Sequence, residues 1–170
     1  LAVPFELPSW LLGKPTIRAF NAAYYRLLGP RGPAGIVHPR KFFYPLDAVR
    51  HWNLLYGRRG FSQYQCVLPP GEDSTPRRLL DRLTRGDGAS FLSVVKDLGR
   101  AGRGMLSFPM PGITFSLDLP LRGAKTQRLV DDLNQIVIDC GGRIYLAKDT
   151  LTRPEHFSAM DPRLDGWNEI

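Results

Sequence analysis

The sequence predicts an α+β fold, in which a mainly antiparallel sheet carries helices on one face. Segments with apolar residues at helical spacing interleave with short segments of alternating apolar and polar residues. The connections between these segments are short, which favours neighbouring elements packed in two layers. A sheet covered by helices on one side leaves its other face for a ligand or a second domain.

The first 60 residues are predicted to form two helices and a strand. Phe20 and Tyr24 belong to an apolar stripe of a helix over residues 9–28, and the Gly- and Pro-rich residues 29–35 form a loop. Residues 36–44 read as a strand. Pro45 suits the first turn of a helix that continues to Tyr56, and residues 57–60 form a turn.

The remaining residues alternate between strands and helices. Thr75 caps a short helix that ends at Leu83, with Pro76 at its first position. The strongest helical pattern covers residues 124–140, and its stripe consists of Leu129, Val130, Leu133, Ile136 and Val137. Thr152 begins a last helix. Strands are predicted over residues 61–68, 90–98, 113–119 and 143–147.

Three of these strands place polar residues on one face. Period two puts Gln63 and Gln65 together, turns Thr114, Ser116 and Asp118 away from the helices, and gives Lys96 the same face as Leu92 and Val94. If the strands are neighbours, the face is a polar wall suited to sugar hydroxyls. A one-sided sheet also presents polar residues to water, so the pattern alone leaves both interpretations open.

In the segment 141–149, a Gly pair ends the strongest helical pattern. A short apolar strand pattern follows, and it ends at Lys148 beside Asp149. A Lys at the end of an apolar strand is well placed to meet an anion or an electron-rich ring. A solvated loop lysine is the alternative. In this chain alone Lys148 is expected to be exposed, near a frayed C-terminal segment.

Composition indicates one ordinary globular domain, with 43% hydrophobic and 23% charged residues. The net charge of +7 is diffuse, and no stripe of basic and aromatic residues predicts a nucleic-acid partner. It suits an anionic lipid surface, a phosphorylated substrate or a solvated surface equally well. The Gly-rich segment 99–104 does not open a helix, so it predicts a mobile basic loop rather than a phosphate loop.

Cys66 and Cys140 are too few for a disulfide framework, so both are expected to be buried free thiols in a reducing compartment. The histidines are widely spaced, so no metal site is expected. The sequence shows no signal peptide and no membrane-spanning run, which predicts a cytoplasmic protein or one peripheral at the membrane. The absence of an initiator Met suggests a piece of a longer protein.

Several segments resemble, in the same order, the C-terminal half of FAD-linked oxidases of the vanillyl-alcohol oxidase superfamily. The likeness is strongest to the decaprenylphosphoryl-β-D-ribose oxidases of cell-wall arabinan synthesis, and it spans about residues 7–167. The segments are FFYPLD at 42–47, WNLLYG at 52–57, GFSQYQ at 60–65, FLSVVK at 91–96, LSFPMPG at 106–112 and GGRIYLAKD at 141–149.

The resemblance implies that residues 1–142 form a substrate-binding (cap) domain. Residues 143–170 would begin the return toward an N-terminal FAD-binding domain that is absent here. The family oxidises a secondary alcohol of a sugar by hydride transfer to FAD. This chain alone is therefore expected to be inactive and to bind FAD weakly. The implied partners are a sugar or lipid-linked sugar, the FAD domain, a partner reductase or epimerase, and a peripheral membrane contact.

The resemblance also implies roles for individual residues. Lys148 would act in catalysis and, with Tyr145, contact the cofactor, while Phe43 would help to enclose the site. Substrate-binding positions are Gln63, Gln65, Lys96, Thr114 and Ser116. Thr114 and Ser116 stand where well-known members have Asn and Cys, and Leu98 stands where an aromatic residue is usual. These departures leave open a related sugar, lipid-linked or not. The alternative functions are a cap domain of a free polyol or aldonolactone oxidase, and a stand-alone binding module without flavin.

Overall fold

The computed structural model describes residues 2–8, 11–28, 36, 38–44, 49–71, 74–86, 92–148 and 151–170. They belong to two compact units, Leu1–Gly60 and Phe61–Ile170. The predicted boundary between residues 142 and 143 falls inside the second unit. The assignment of residues 143–170 as a return toward an FAD domain stays a prediction.

The first unit contains helix α1 (Lys14–Leu28), a short helix α2 (Pro39–Phe43) and a 3-10 helix (Trp52–Tyr56). The predicted first helix is confirmed from Lys14 onward. Its apolar stripe is largely open to solvent, since Phe20 and Tyr24 are 52% and 56% exposed. The N-terminal segment runs beside the residues around the 3-10 helix, because Val3 N–H donates to the Arg50 carbonyl and Leu7 N–H to the Leu54 carbonyl.

The predicted strand over residues 36–44 is wrong, because Pro39–Phe43 form α2. His38 caps this helix, since its Nδ1 accepts a hydrogen bond from Arg40 N–H at 3.2 Å, and Pro39 occupies the first turn. This local start signal outweighs the strand preference of the aromatic residues that follow.

The helix predicted from Pro45 is only partly described, since residues 45–48 lie outside the described ranges. Its second half forms the 3-10 helix, which follows His51 in a left-handed conformation with φ 57°. The predicted turn over residues 57–60 is confirmed by a hydrogen bond from Gly60 N–H to the Gly57 carbonyl.

The second unit carries the sheet and the helices that cover it. Helix α3 begins at Ser74, one residue before the predicted cap, and strand β2 begins three residues later than predicted. The elements in order are β1 (Phe61–Leu68), α3 (Ser74–Arg85), β2 (Ser93–Leu98), β3 (Gly112–Pro120), α4 (Ala124–Asp139), β4 (Arg143–Ile144), α5 (Pro154–Met160) and α6 (Leu164–Asn168).

The four strands form one antiparallel sheet in the order β2-β3-β1-β4. One face of β1 and β3 packs against helices: Tyr64, Phe115 and Leu117 belong to the same buried cluster as Leu133 and Val137 of α4. Of the predicted α4 stripe, Ile136 alone is only partly buried. The structure therefore confirms the α+β class and the helices on one face.

Segment 99–104 lies between β2 and β3 and is a loop, as predicted. Gly102 N–H donates to the Pro109 carbonyl, and Ser107 N–H donates to the Gly104 carbonyl. These hydrogen bonds link the loop to the residues that lead into β3.

The Gly pair ends α4 and redirects the chain into the sheet. Gly141 has φ 69° and donates its N–H to the Ile138 carbonyl, while Gly142 N–H donates to the Val137 carbonyl at 2.8 Å. This is the Schellman arrangement of a helix end. A Cβ on Gly142 would lie 2.4 Å from the carbonyl oxygen of Val67, so only Gly lets β4 approach β1 here.

A buried hydrogen-bond chain ties the sheet to the helix layer. The Tyr64 hydroxyl donates to Asn134 Oδ1 at 2.9 Å, and Asn134 Nδ2 donates to Thr152 Oγ1 at 2.9 Å. Tyr64 and Asn134 are 1% and 0% exposed. The network thus fixes the central strand, α4 and the start of the C-terminal segment relative to one another.

The two cysteines are free thiols, as expected. Cys66 is fully buried, and burial raises its pKa to about 12. Cys140 is only half-buried, which corrects the expectation for this residue. Burial also raises the pKa of Cys140. None of the helices in the described part of the chain is long and apolar enough to cross a membrane.

Candidate functional site

The strand register brings the predicted polar residues onto the sheet face opposite the buried core. Gln65 lies directly opposite Ser116, and Lys96 lies opposite Thr114. Residues that oppose each other across an antiparallel pair share a face. Because Gln63 lies two residues from Gln65 on β1, it lies on the same face of the sheet. The expected grouping of these five residues on one face is thus observed, while their roles in binding stay predictions.

Thr114 is the centre of the hydrogen bonding on this face. It accepts a hydrogen bond from Gln65 Nε2 at 3.1 Å and donates its own hydroxyl proton to the Cys66 carbonyl at 2.8 Å. Thr114 is 1% exposed, whereas Gln65 and Ser116 are half-buried. A buried hydroxyl with both roles satisfied holds the Gln65 amide in a fixed orientation.

The outer end of the face, on β2, mixes a cation with apolar side chains. Lys96 is exposed, and Val94 and Leu98, which share its face by period two, are half-buried. Val94 lies opposite Ser116, so the two hydroxyl residues of β3 are next to the apolar residues and the lysine of β2.

Two further polar residues share this face, although neither was predicted to bind substrate. Asp118 lies opposite Gln63 and is 1% exposed, and Arg143 lies opposite Val67 at the β4 edge. Burial and the neighbouring Arg163 lower the pKa of Arg143. Period-two alternation places Asp118 on the face, but its burial could be known only from the structure.

The turn Tyr145–Lys148 follows β4 at the edge of the sheet. Tyr145 N–H donates to the Gln65 carbonyl at 2.8 Å, which continues the β1–β4 pairing by one residue. Lys148 N–H then donates to the Tyr145 carbonyl at 3.1 Å, closing a turn. The predicted strand over residues 143–147 is therefore too long, since regular pairing covers only Arg143–Ile144.

Lys148 is half-buried, so the expectation of an exposed lysine beside a frayed segment is wrong. The segment after it is anchored because α5 places Met160, which is 5% exposed, in the core. Residues 149 and 150 lie outside the described ranges.

An apolar cavity of about 230 Å³ lies beside this turn. The Tyr145 ring packs on Phe108 with ring centroids 4.9 Å apart, and both line the cavity. Asp161 lies at its wall and accepts a hydrogen bond from Arg163 Nε at 2.7 Å. Burial opposes ionisation of Asp161, but the hydrogen bonds from Arg163 outweigh it and lower the pKa of this carboxyl.

Phe43 is the one predicted site residue that belongs to the first unit. It is the last residue of α2, and its side chain is 68% exposed. Its predicted role in enclosing the site stays a prediction.

Comparison with known proteins agrees with the resemblance seen in the sequence. The whole chain is 35% identical over 170 residues to decaprenylphosphoryl-beta-D-ribose oxidase of Mycolicibacterium smegmatis, of which it covers 36%. The predicted resemblance to that oxidase is confirmed. The share of the oxidase that is covered fits a C-terminal portion of it.

A second relative comes from Streptomyces coelicolor and is named only "uncharacterized protein in mprA 5′ region". It is 32% identical over 168 residues, 99% of this chain and 45% of that protein. The chain thus spans between about a third and a half of the length of these two curated relatives. No family model matches the chain.

Proposed function

We propose that this chain is the substrate-binding portion of a flavin-dependent oxidoreductase that oxidises a secondary hydroxyl of a sugar carried on a lipid phosphate. One observation carries the proposal. The polar sheet face, with its fixed Gln65–Thr114 pair, meets the Tyr145–Lys148 turn through the hydrogen bond between Tyr145 N–H and the Gln65 carbonyl. The 35% identity to an oxidase whose name specifies a phosphoryl-linked ribose supports the same reading.

The polar face suits a sugar because its side chains both donate and accept hydrogen bonds. Gln63, Gln65 and Ser116 are half-buried, so they can meet a ligand while remaining partly shielded from water. The Thr114 hydroxyl orients Gln65 before any ligand arrives, which lowers the entropy that binding would cost.

The β2 end of the face suits a phosphate and the chain attached to it. The exposed Lys96 ammonium would pair with a phosphate oxygen. The half-buried Val94 and Leu98 would contact an adjoining apolar group. A free sugar or polyol would not use this combination, which is why the lipid-linked substrate is favoured over the free one.

The residues of the turn fit a flavin at the other end of the face. The aromatic residue Tyr145 and the half-buried residue Lys148 lie three positions apart, and a backbone hydrogen bond joins them. FAD, when bound, would supply the acceptor for the hydride. Lys148 would hold positive charge where negative charge develops, and Tyr145 would exclude water from the reacting group.

Replacement of Lys148 in the complete protein tests this assignment. Lys148→Ala should slow flavin reduction by the lipid-linked sugar about 100- to 1000-fold, because a preorganised charge at a developing anion is worth that much in rate. Stopped-flow absorbance of the flavin measures this step directly. Lys14→Ala is the control, since it removes the same charge at an exposed position on α1 in the first unit.

Several outcomes would contradict the proposal. Flavin reduction at the wild-type rate in Lys148→Ala would show that Lys148 is a loop lysine without a catalytic role. Faster turnover of a free polyol or aldonolactone than of a lipid-linked sugar would assign the site to those substrates instead. A complete protein that purifies without flavin and binds none would make the chain part of a binding module.

A further inference from the structure

The segment LSFPMPG at 106–112 has no part in the proposed function so far, yet the structure connects it to the C-terminal helices. The Ser107 carbonyl accepts a hydrogen bond from Arg163 Nη2 at 3.0 Å and a longer one from Arg143 Nη1 at 3.4 Å. Arg163 lies 56 residues further along the chain, between α5 and α6. Two guanidinium groups from separate parts of the chain therefore meet at one carbonyl of the segment that leads into β3.

A buried carboxylate fixes the orientation of Arg163. Asp161 is 3% exposed, and its Oδ1 accepts hydrogen bonds from Arg163 Nε at 2.7 Å and from Arg163 N–H at 3.2 Å. Asp161 Oδ2 accepts from Arg163 Nη2, the same nitrogen that donates to Ser107. Because the guanidinium is planar and is held at two nitrogens, it cannot turn away from Ser107 without breaking its pair with Asp161.

The residue after Ser107 is Phe108, whose ring packs on the ring of Tyr145. The ring centroids are 4.9 Å apart. Both rings border the cavity of about 230 Å³, and a ring that borders a cavity has fewer packing contacts to hold it. The hydrogen bonds to the Ser107 carbonyl therefore matter for the position of this ring pair.

Backbone hydrogen bonds fix the main chain of Tyr145 but not its ring. Its N–H donates to the Gln65 carbonyl at 2.8 Å, and its carbonyl accepts from Lys148 N–H at 3.1 Å. The ring turns about the side-chain bonds independently of these two contacts. Its orientation depends instead on the Phe108 ring, and so on the groups that hold the Ser107 carbonyl.

We propose that Arg163 is a positioning residue, which holds the Ser107–Phe108 segment so that the Tyr145 ring keeps its orientation beside the flavin. The inference rests on the proposed function, in which Tyr145 excludes water from the reacting group. Arg163 acts through the Ser107 carbonyl and then through Phe108. Arg143 has a lesser part, because its hydrogen bond to the same carbonyl is longer.

Flavin reduction in the complete protein tests the effect of Arg163 on the reaction. Arg163→Gln should slow this step about 10- to 100-fold, because a displacement of about 1 Å beside the reacting atoms costs up to about 100-fold. Arg153→Gln is the matched control. Arg153 pairs with Asp131 through two nitrogens at 3.0 and 3.2 Å in the same part of the chain, so its loss removes a similar ion pair and should leave the rate near wild type. A wild-type rate in Arg163→Gln would overturn the proposal.

A double-mutant cycle shows whether Arg163 acts through Phe108. Phe108→Leu removes the ring that packs on Tyr145 but keeps an apolar side chain, and it should slow flavin reduction by a similar factor. Added to Phe108→Leu, Arg163→Gln should slow the step by less than about twofold more, because the two residues act as one unit. If the two factors multiplied in full, Arg163 would have a separate structural role and the proposal would be wrong.

NMR spectra of this chain test the positioning without any flavin. The wild-type chain and Arg153→Gln should show a nuclear Overhauser effect between the ring protons of Phe108 and Tyr145, and Arg163→Gln should lose it while circular dichroism still shows a folded chain. Retention of that signal in Arg163→Gln would overturn the proposal. If Arg163→Gln unfolds, Arg163→Lys takes its place, because it keeps the charge but loses the planar pairing with Asp161.

The two measurements separate the inference from the proposed function. A complete protein that binds no flavin refutes the proposed function, and with it the effect of Arg163 on a flavin reaction. The NMR result then decides alone whether Arg163 orients the Tyr145 ring.

Discussion

The buried hydrogen bond between Tyr64 and Asn134 should contribute measurably to the stability of this chain. Tyr64→Phe removes only the hydroxyl, so packing in the core is kept. Asn134 Oδ1 then loses its donor at a position that is 0% exposed. A buried acceptor left without a partner costs about 1–3 kcal/mol, and we expect Tyr64→Phe to lower the free energy of unfolding by that amount.

A double-mutant cycle separates this bond from the other contacts of both residues. Asn134→Ala should cost more than Tyr64→Phe, because it also removes the donor to Thr152 and leaves a void. The coupling energy between the two changes should be about 1 kcal/mol, within the range of directly interacting residues. Urea unfolding followed by circular dichroism gives the free energy of unfolding of the four proteins.

Tyr24→Phe provides the matched control, since Tyr24 lies on α1 with 56% of its surface exposed. It should change stability by less than about 0.5 kcal/mol. If Tyr64→Phe were equally neutral, or if the cycle gave no coupling, the hydrogen bond would not be a stabilising link between the sheet and α4.

Three further perturbations follow from local geometry. Gly142→Ala should lower the free energy of unfolding by more than about 2 kcal/mol, because its Cβ would lie 2.4 Å from a strand carbonyl oxygen. Gly141→Ala meets no neighbouring atom, but its φ of 69° should lower the free energy of unfolding in urea by about 1–2 kcal/mol. The lowered pKa of Asp161 gives stability that is present above its ordinary value of 3.8 and lost as pH falls through the folded value. Asp161→Asn should therefore flatten the loss of stability as pH falls below the ordinary value of 3.8, which urea unfolding at a series of pH values would show. Iodoacetamide at pH 8 should label Cys140 before Cys66, because Cys66 is buried and its pKa is about 12. Peptide mass spectrometry measures the order of labelling. Labelling of Cys66 first would show that its burial is transient.

The elements that the sequence predicted well are those in which burial imposes a strict period. Strand β1 was predicted at its observed bounds, and the predicted α4 stripe differs from the buried set only at Ile136. In β3 the alternation of Phe115, Leu117 and Leu119 with polar residues follows directly from having helices on one face. In these segments the local pattern and the tertiary environment require the same residues.

The predictions failed where a local cap or the neighbouring chain decides the structure. Residues 36–44 have strand-like aromatics, but the His38 cap starts a helix. Strand β4 is two residues long because regular pairing reaches only Cys66 and Val67 of β1 before the chain turns. The candidate site depends on the order of the strands in the sheet. Alternation along a strand predicts which residues share a face, but not which strands are neighbours. The contact between Gln65 and Thr114 exists only because β1 and β3 are adjacent.

Two of the three departures from the resembling oxidases, Thr114 and Ser116, have different surroundings in the sheet. Thr114 donates to a strand carbonyl and orients Gln65, so an exchange at this position alters both the sheet and the Gln65 amide. Ser116 is half-buried and lies between Val94 and Gln65 across the strands, so an exchange there changes the group on the polar face. The core residues on either side, Phe115 and Leu117, face the helices and remain in place in both cases. A substitution at position 116 is therefore expected to cost little stability, whereas a change at position 114 requires a compensating partner for Gln65.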